Sequence, residues 1–391
     1  MTAIQTPEPK IHLDRVGKTY PGTKIPAVED LTLDVHEGEI LVLVGPSGCG
    51  KSTTLRLINR MIEPSNGRIL LDGEDVTKAN PDKLRRRIGY VIQQIGLFPH
   101  QTISQNIATV PKMLGWEKER IHERTEQLLT TVGLDPEQYR HRYPKELSGG
   151  QAQRVGVARA LGADPDIMLM DEPFGAIDPI TRERLQNEFL RLQEELRKTI
   201  VFVTHDIDEA IKMGDRIAIL GERSTIRQID TPERILAYPV DDFVDDFIGT
   251  GSTIKGLNFL QVSGLKIPDY PSITVDDDPQ KGIAALQEAG REWLVLLDEQ
   301  GRPARWLRED DLRGAAPGQY DGRGEELGDH LSPEDTLFHA LELMVQSAAG
   351  KTCVVDEAGR FQGVVEMAHL NKAIRRAQYE ARAHYEELER A

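Results

Sequence analysis

The stretch Gly45-Pro46-Ser47-Gly48-Cys49-Gly50-Lys51-Ser52 lies between an apolar run, Glu39–Val44, and a helical pattern over Ser52–Met61. It matches G-x-x-x-x-G-K-[ST] in the strand–loop–helix setting that gives this pattern its meaning. The glycines let the backbone curl with its N–H groups turned inward, and the helix that comes next adds the positive end of its dipole. Lys51 supplies a cation for β- and γ-phosphates, and the Ser52 hydroxyl is a ligand for Mg2+. The candidate nucleotide-binding set is Gly45, Pro46, Ser47, Gly48, Cys49, Gly50, Lys51, Ser52 and Thr53. A glycine-rich turn with an incidental lysine is the structural alternative.

A fold that uses such a loop needs a parallel sheet. From Ile11 to Ile248 short β-type runs (Ile40–Val44, Ile167–Met170, Ile200–Thr204, Arg216–Leu220) alternate with helical periodicity, which predicts an α/β domain with a largely parallel sheet. After Pro179, Leu185, Phe189, Leu192 and Leu196 recur at helical spacing. The run ending at Met170 leads into Asp171-Glu172, which sets two carboxylates at the carboxyl edge of the sheet beside the phosphates. In this Walker-B arrangement Asp171 binds Mg2+, directly or through water, and Glu172 orients and polarises the attacking water. A simple turn is the alternative for Asp-Glu-Pro by itself.

Composition sets outer limits. With 39% hydrophobic and 29% charged residues the chain reads as globular, and its formal net charge of −16 argues against nucleic acid as a partner. Cys49 and Cys353 are far apart, without metal-type spacing, which fits a reducing compartment. The N-terminal MTAIQTPEPK lacks an apolar core of the signal-peptide kind, and the apolar runs fall well short of the roughly 20 residues of a membrane span. A membrane role would need a separate pore-forming partner.

At Leu147-Ser148-Gly149-Gly150-Gln151, followed by AQRVGVARAL, the chain resembles the ATP-binding-cassette (ABC) ATPases at their signature sequence. The resemblance covers residues 10–250 and implies a P-loop cassette with a helical signature subdomain. It also implies a homodimer, in which Ser148 and the glycine amides meet the ATP held by the other subunit; as residues alone, S-G-G also reads as a capped helix start. Further positions match in order. Tyr20 resembles the aromatic that stacks on adenine, Gln93 the glutamine that links γ-phosphate and Mg2+ to the membrane partner, and His205 the γ-phosphate-sensing histidine. Asp178 belongs to the segment after Walker B (the D-loop), where Gly175-Ala176-Ile177-Asp178 replaces the common Ser-Ala-Leu-Asp. Edge packing for Tyr20, a solvated side chain for Gln93, a helix N-cap for Asp178 and a strand end for His205 are the structural alternatives. Gln93 is chosen over Gln94 by counting back from Leu97-Phe98-Pro99-His100.

Beyond a small, polar linker at Gly249–Lys255, LLDEQGR at Leu296–Arg302 reappears as VVDEAGR at Val354–Arg360, 58 positions on. Each copy runs helix, strand, turn, strand, and the pair resembles tandem cystathionine-β-synthase-type (CBS) domains, over residues 251–328 and 329–372. The first copy is degenerate, with Arg305-Trp306-Leu307-Arg308 where the second has Gly363-Val364-Val365-Glu366. Residues 373–391 read as a charged, exposed helix or tail.

A cassette followed by such a pair resembles the ATPases of importers for glycine betaine, carnitine, choline or proline betaine. That resemblance implies ATP and Mg2+, integral membrane permease subunits, a substrate-binding protein or domain, and a place on the cytoplasmic face of the cell membrane. It leaves the CBS-like pair open between adenine-nucleotide binding, ionic-strength sensing and inert packing. An importer of another solute, and a soluble cassette ATPase acting on DNA or ribosomes, are the competing readings.

Overall fold

Runs of four or five apolar residues with no polar interruption must be covered on both faces, and three of them, in Ile40–Val44, Ile167–Met170 and Ile200–Val203, form the middle of a sheet. The computed structural model describes residues 8–92, 96–175, 177–320, 322–388 and 390, in two units. The first runs to Ile235 and includes Val240–Phe247; the second comprises Leu236–Pro239 and the chain from Ile248 onward.

Among the described residues the strands of the first unit are β1 (Ile11–Lys18), β2 (Val28–Val35), β3 (Ile40–Val44), β4 (Asn66–Leu71), β5 (Glu74–Asp75), β6 (Ile88–Val91), β7 (Ile167–Asp171), β8 (Thr199–Thr204), β9 (Arg216–Leu220) and β10 (Ile226–Asp230). One sheet has the order β10-β9-β3-β8-β7-β6. It is parallel from β9 to β6, and only β10 is antiparallel. Every residue of β3, β7 and β8 is buried. The expected α/β architecture is present.

A second, antiparallel sheet, β2-β1-β4-β5, lies outside that expectation. Its strands alternate poorly in sequence because β1 is bulged: its register with β2 shifts between Leu13 and Val16, where Arg15 has φ 48°. The helix after the glycine-rich loop is also shorter than expected, Lys51–Ile58 rather than Ser52–Met61. Arg60, at φ 47°, ends it and donates to the Val76 carbonyl at 2.9 Å. Between β6 and β7 the chain forms the helices Ile103–Ile107, Thr109–Met113, Lys118–Thr131, Pro136–Tyr139 and Gly149–Ala160. The helix Pro179–Leu196 buries Leu185, Phe189 and Leu192, the stripe its periodicity predicts. No described helix is long and apolar enough to cross a membrane.

In the second unit the strands are β11 (Ser272–Thr274), β12 (Leu294–Leu297), β13 (Pro303–Leu307), β14 (Glu325–Glu326), β15 (Thr352–Val355) and β16 (Phe361–Val365). The duplication extends to individual hydrogen bonds at the same offset. Asp298 Oδ1 accepts from the amides of Gln300 and Arg302 at 2.9 and 2.8 Å; Asp356 Oδ1 accepts from those of Ala358 and Arg360, both at 2.9 Å. Likewise Asp277 Oδ2 accepts from the Thr274 amide at 2.8 Å, and Asp335 Oδ2 from the Ser332 amide at 2.6 Å. The helices Pro279–Ala289 and Leu337–Gln346 precede the paired strands β12–β13 and β15–β16.

Two details differ from the sequence reading. The expected linker contains a helical turn, Ser252–Gly256, within the second unit. The C-terminal helix begins at Met367, ahead of the expected charged tail, and buries Leu370 and Ala381.

The two copies share a core of Tyr270, Trp293, Val295, Trp306, Cys353 and Val364. Beside it Glu366 accepts from Arg291 Nη1 at 2.7 Å and pairs with Lys351 Nζ at 2.7 Å. Burial pushes the Glu366 carboxyl up, but Lys351 and Arg291 outweigh it and hold the group below the usual carboxylate range. A depressed carboxyl stabilises the fold above its unfolded pKa and loses that contribution as pH falls through the folded value. Glu366→Gln is therefore expected to destabilise the second unit by about 1 kcal/mol at neutral pH. In urea unfolding followed from pH 7 to pH 3, the gap between variant and native protein should close as the pH drops.

Candidate active site

The carboxyl ends of β3, β7 and β8 lie at one edge of the sheet because these strands are parallel and β8 separates the other two. Three segments therefore converge there: the Gly45–Ser52 loop after β3, Asp171-Glu172 at the end of β7, and His205 after β8.

Lys51 is buried, and its ammonium donates to the Gly45 and Pro46 carbonyls at 2.7 and 2.9 Å. Pro46, Ser47 and Gly48 are exposed, while Cys49 turns inward. Gly50 has φ 113° and gives the helix Lys51–Ile58 no side-chain cap. The backbone N–H groups of the first turn are the donors that a phosphate would accept from. A Cβ on Gly50 would stand 2.2 Å from Ser224 Oγ and 2.7 Å from the Ala27 carbonyl, so no other residue fits. Ser52 Oγ donates to Asp171 Oδ1 at 2.8 Å, and Thr53 is half-buried in the same turn.

Asp171 is buried, and that burial raises its carboxyl pKa; Ser52, Arg56 and Lys51 oppose the shift and Glu172 adds to it. Glu172 has φ 45°, a left-handed conformation that non-glycine residues adopt at a cost and that recurs at functional sites. Its Oε1 is 3.2 Å from His205 Nδ1. A carboxylate only accepts, so Nδ1 is the donor in this pair.

The other expected site residues are spread more widely. Tyr20 is 37% exposed on the turn after β1, with Lys18 Nζ 5.4 Å from its ring centre. Ser148 N-caps the helix Gly149–Ala160: its Oγ accepts from the Gln151 amide at 3.3 Å, while Gln151 Oε1 accepts from the Ser148 amide at 3.0 Å. Leu147 is half-buried and Gly149 open to solvent. A Cβ on Gly150 would come within 3.1 Å of Thr181, so this stretch meets the helix that Asp178 caps. Asp178 accepts from the Thr181 amide at 3.0 Å, which holds its carboxyl below the usual range. Gln93, with Gln94, Ile95 and Ala176, lies outside the described residues.

Three contributors carry no motif of their own. Ser224, at φ 61°, donates from its amide to the Cys49 carbonyl at 2.6 Å. Asn106 is fully buried; its Oδ1 accepts from the Phe98 amide at 2.8 Å and its Nδ2 donates to the carbonyls of Phe98, Gln101 and Thr102. Arg159 donates to the Gly96 carbonyl at 2.6 Å. The last two fix the backbone just after Gln93.

Residues 28–175 match the family model for the ABC transporter, and residues 330–376 that for the CBS domain. The osmoprotectant import ATP-binding protein OsmV of Salmonella typhimurium is 43% identical over 92% of this chain and 95% of its own. This chain belongs to the ABC transporter ATP-binding proteins. As in that family, the fold is an ABC cassette of the P-loop type, here with a CBS domain after it. The carnitine transport ATP-binding protein OpuCA of Listeria monocytogenes is 51% identical over 74% of this ABC protein and 72% of its own length. The dimeric structure of a bacterial ABC transporter cassette overlays with a TM-score of 0.51 at 36% identity, covering 56% of this chain and 98% of the other. The same cassette has also been solved as a post-hydrolysis dimer with ADP and Pi. The present chain is thus an ABC ATPase.

Because the pKa of Asp171 is raised in the fold, its charge costs stability once the pH exceeds the folded value, and the cost vanishes below the unfolded one. Asp171→Asn keeps an acceptor for Ser52 and is expected to raise the thermal midpoint at pH 8 by a few degrees, about 1 kcal/mol. The gain should shrink toward pH 4 in scans of the nucleotide-free protein.

Proposed function

We propose that two copies of this chain form the ATP-hydrolysing engine of an importer for quaternary-amine osmoprotectants, bound to permease subunits on the cytoplasmic face of the cell membrane. The observation that carries the ATPase half is the convergence of Lys51, Ser52, Asp171, Glu172 and His205 at one sheet edge, with Ser52 and Asp171 2.8 Å apart. The cargo half is supported by relatives named for osmoprotectant, carnitine, choline and glycine betaine transport.

Among the described residues no cluster of three or more His, Cys, Asp or Glu could hold a metal by itself. One carboxylate beside one hydroxyl instead suits Mg2+, which takes few protein ligands and completes its shell with water and phosphate oxygens. Ser52 and Asp171 would hold it, with Gln93, and it would supply charge neutralisation on the phosphates. Lys51 and the first-turn amides bind the β- and γ-phosphates, and the exposed Tyr20 stacks on adenine. Glu172 orients a water for in-line attack: a bond forms from the water oxygen to the γ-phosphorus, and the bond to the β–γ bridging oxygen breaks. His205 steadies Glu172. Leu147–Gln151 closes the site from the second subunit, its Ser148 box holding the Gly149 and Gly150 amides at a helix N-terminus.

Closure of the dimer would be passed to the permease through the backbone that Asn106 and Arg159 fix, while a substrate-binding protein or domain delivers the cargo outside. In the second unit a cavity of 590 Å3 bordered by Lys266, Lys372 and Arg376 would take an adenine nucleotide.

Glu172→Gln should lower ATP turnover about 10²- to 10⁴-fold while ATP still binds, as the loss of a general base does. Uptake of labelled glycine betaine by cells carrying the native gene should rise with osmolarity and vanish with Lys51→Ala. Uptake unaffected by Lys51→Ala would leave the ATPase in place and reassign its cargo.

A further inference from the structure

Two helices begin directly after loops of the candidate active site: Pro179–Leu196 after Ile177-Asp178, and Ile207–Met213 after His205-Asp206. Polar rungs join them. On the first turn of the longer helix, Arg182 Nη2 donates to the Ile177 carbonyl at 3.1 Å, and its Nη1 lies 3.9 Å from Asp206 Oδ2. One turn later Gln186 Nε2 donates to Glu209 Oε1 at 3.0 Å. A third rung, Lys212 to Glu183 at 3.9 Å, lies on the outside. Spacings of four residues on one helix and three on the other are those that share a helix face.

The middle rung is out of the ordinary because it is buried, with Gln186 at 5% and Glu209 at 8% exposure. Burial pushes the Glu209 carboxyl up, and hydrogen bonds from the Thr204 and Gln186 side chains pull it back. Thr204 also accepts from the Asp206 amide at 3.0 Å, so His205 is bracketed by groups tied to this rung. Leu185 and Phe189 already give the longer helix an apolar face for packing. A buried carboxylate held by one amide and one hydroxyl is poorer packing than a hydrocarbon pair of the same volume, and such groups serve specificity of position rather than stability.

We propose that Arg182, Gln186 and Glu209 are positioning residues that lock the Ile177-Asp178 loop to the His205 loop. Engagement of the first loop by a second subunit then holds His205 in its 3.2 Å contact with Glu172 and licenses hydrolysis. The proposal rests on the ATPase reading and adds a coupling element to it.

The test is steady-state and single-turnover ATP hydrolysis by the full chain in its transporter complex. Glu209→Ala and Gln186→Leu are expected to lower kcat about tenfold with KM for ATP within about twofold, since neither touches the nucleotide-binding loop. Glu209→Gln, which keeps the Oε1 acceptor, is expected to restore most of the turnover. Because the rung acts through His205, adding Glu209→Ala to His205→Ala should cost nothing further. Normal kcat in both single variants, or losses that multiply in the double variant, would overturn the proposal. Should Glu209→Ala fail to fold by thermal unfolding, the volume-matched Gln186→Leu carries the same comparison. Glu172→Gln is assayed alongside. If it hydrolyses ATP normally, the ATPase reading fails; if it is inactive while Glu209→Ala and Gln186→Leu turn over normally, only the coupling fails.

Discussion

The backbone of the Gly45–Ser52 loop is gripped from three directions by segments remote in sequence. The Leu220 carbonyl occupies the space beside Gly45, where a Cβ would come to 2.3 Å, and the Ala27 carbonyl does the same at Gly50. The Ser224 amide holds the Cys49 carbonyl at 2.6 Å, from a turn whose Arg223 and Ser224 both have positive φ. Arg223 in turn pairs with Glu29 at the start of β2, 2.8 Å away. Strained residues persist only where their surroundings over-determine them. The loop's shape is thus held by the rest of the fold, and the strained backbone that holds it lies in the β9–β10 turn.

The same sheet edge handles its carboxylates differently according to burial. Asp171 is buried, next to a hydroxyl donor and two cations. Glu172 is partly exposed, with the exposed His205 imidazole 3.2 Å away. Asp178 and Asp206 stand at helix starts and accept backbone N–H groups, which is the least costly place for a negative charge. A sheet that gathers this much negative charge can remain folded at neutral pH because each carboxylate has a donor of its own.

Motifs whose chemistry depends on short spacing were readable in the sequence: the Lys51 loop, Asp171-Glu172, Leu147–Gln151, and the repeat with its Asp298 and Asp356 turns. These rely on local geometry, a strand end or a helix start, that a few adjacent residues dictate. The antiparallel sheet was not readable, since the bulge at Arg15 breaks the alternation that would reveal β1. Nor were Ser224, Asn106, Arg159 and Glu209, whose partners lie on other elements and whose residue types occur on any surface. For Ser148 and Asp178 the capping alternative is realised in the structure, and it is compatible with a role at the site: an N-cap is what presents the next amides to a ligand.

The duplicated half carries one asymmetry with a wider consequence. Turn for turn its copies agree, yet Arg308 stacks 3.9 Å from the Trp293 ring in the first, while in the second the equivalent Glu366 pairs with Lys351 and also with Arg291 of the first copy. Melting the second copy would take Glu366 away from Arg291, and melting either copy would uncover the shared aromatic core. Each copy thus depends on the other to cover part of its apolar surface. A cut between the copies would lay open the faces of Trp293, Trp306 and Cys353 that they now cover together, so the two are best transplanted as one piece.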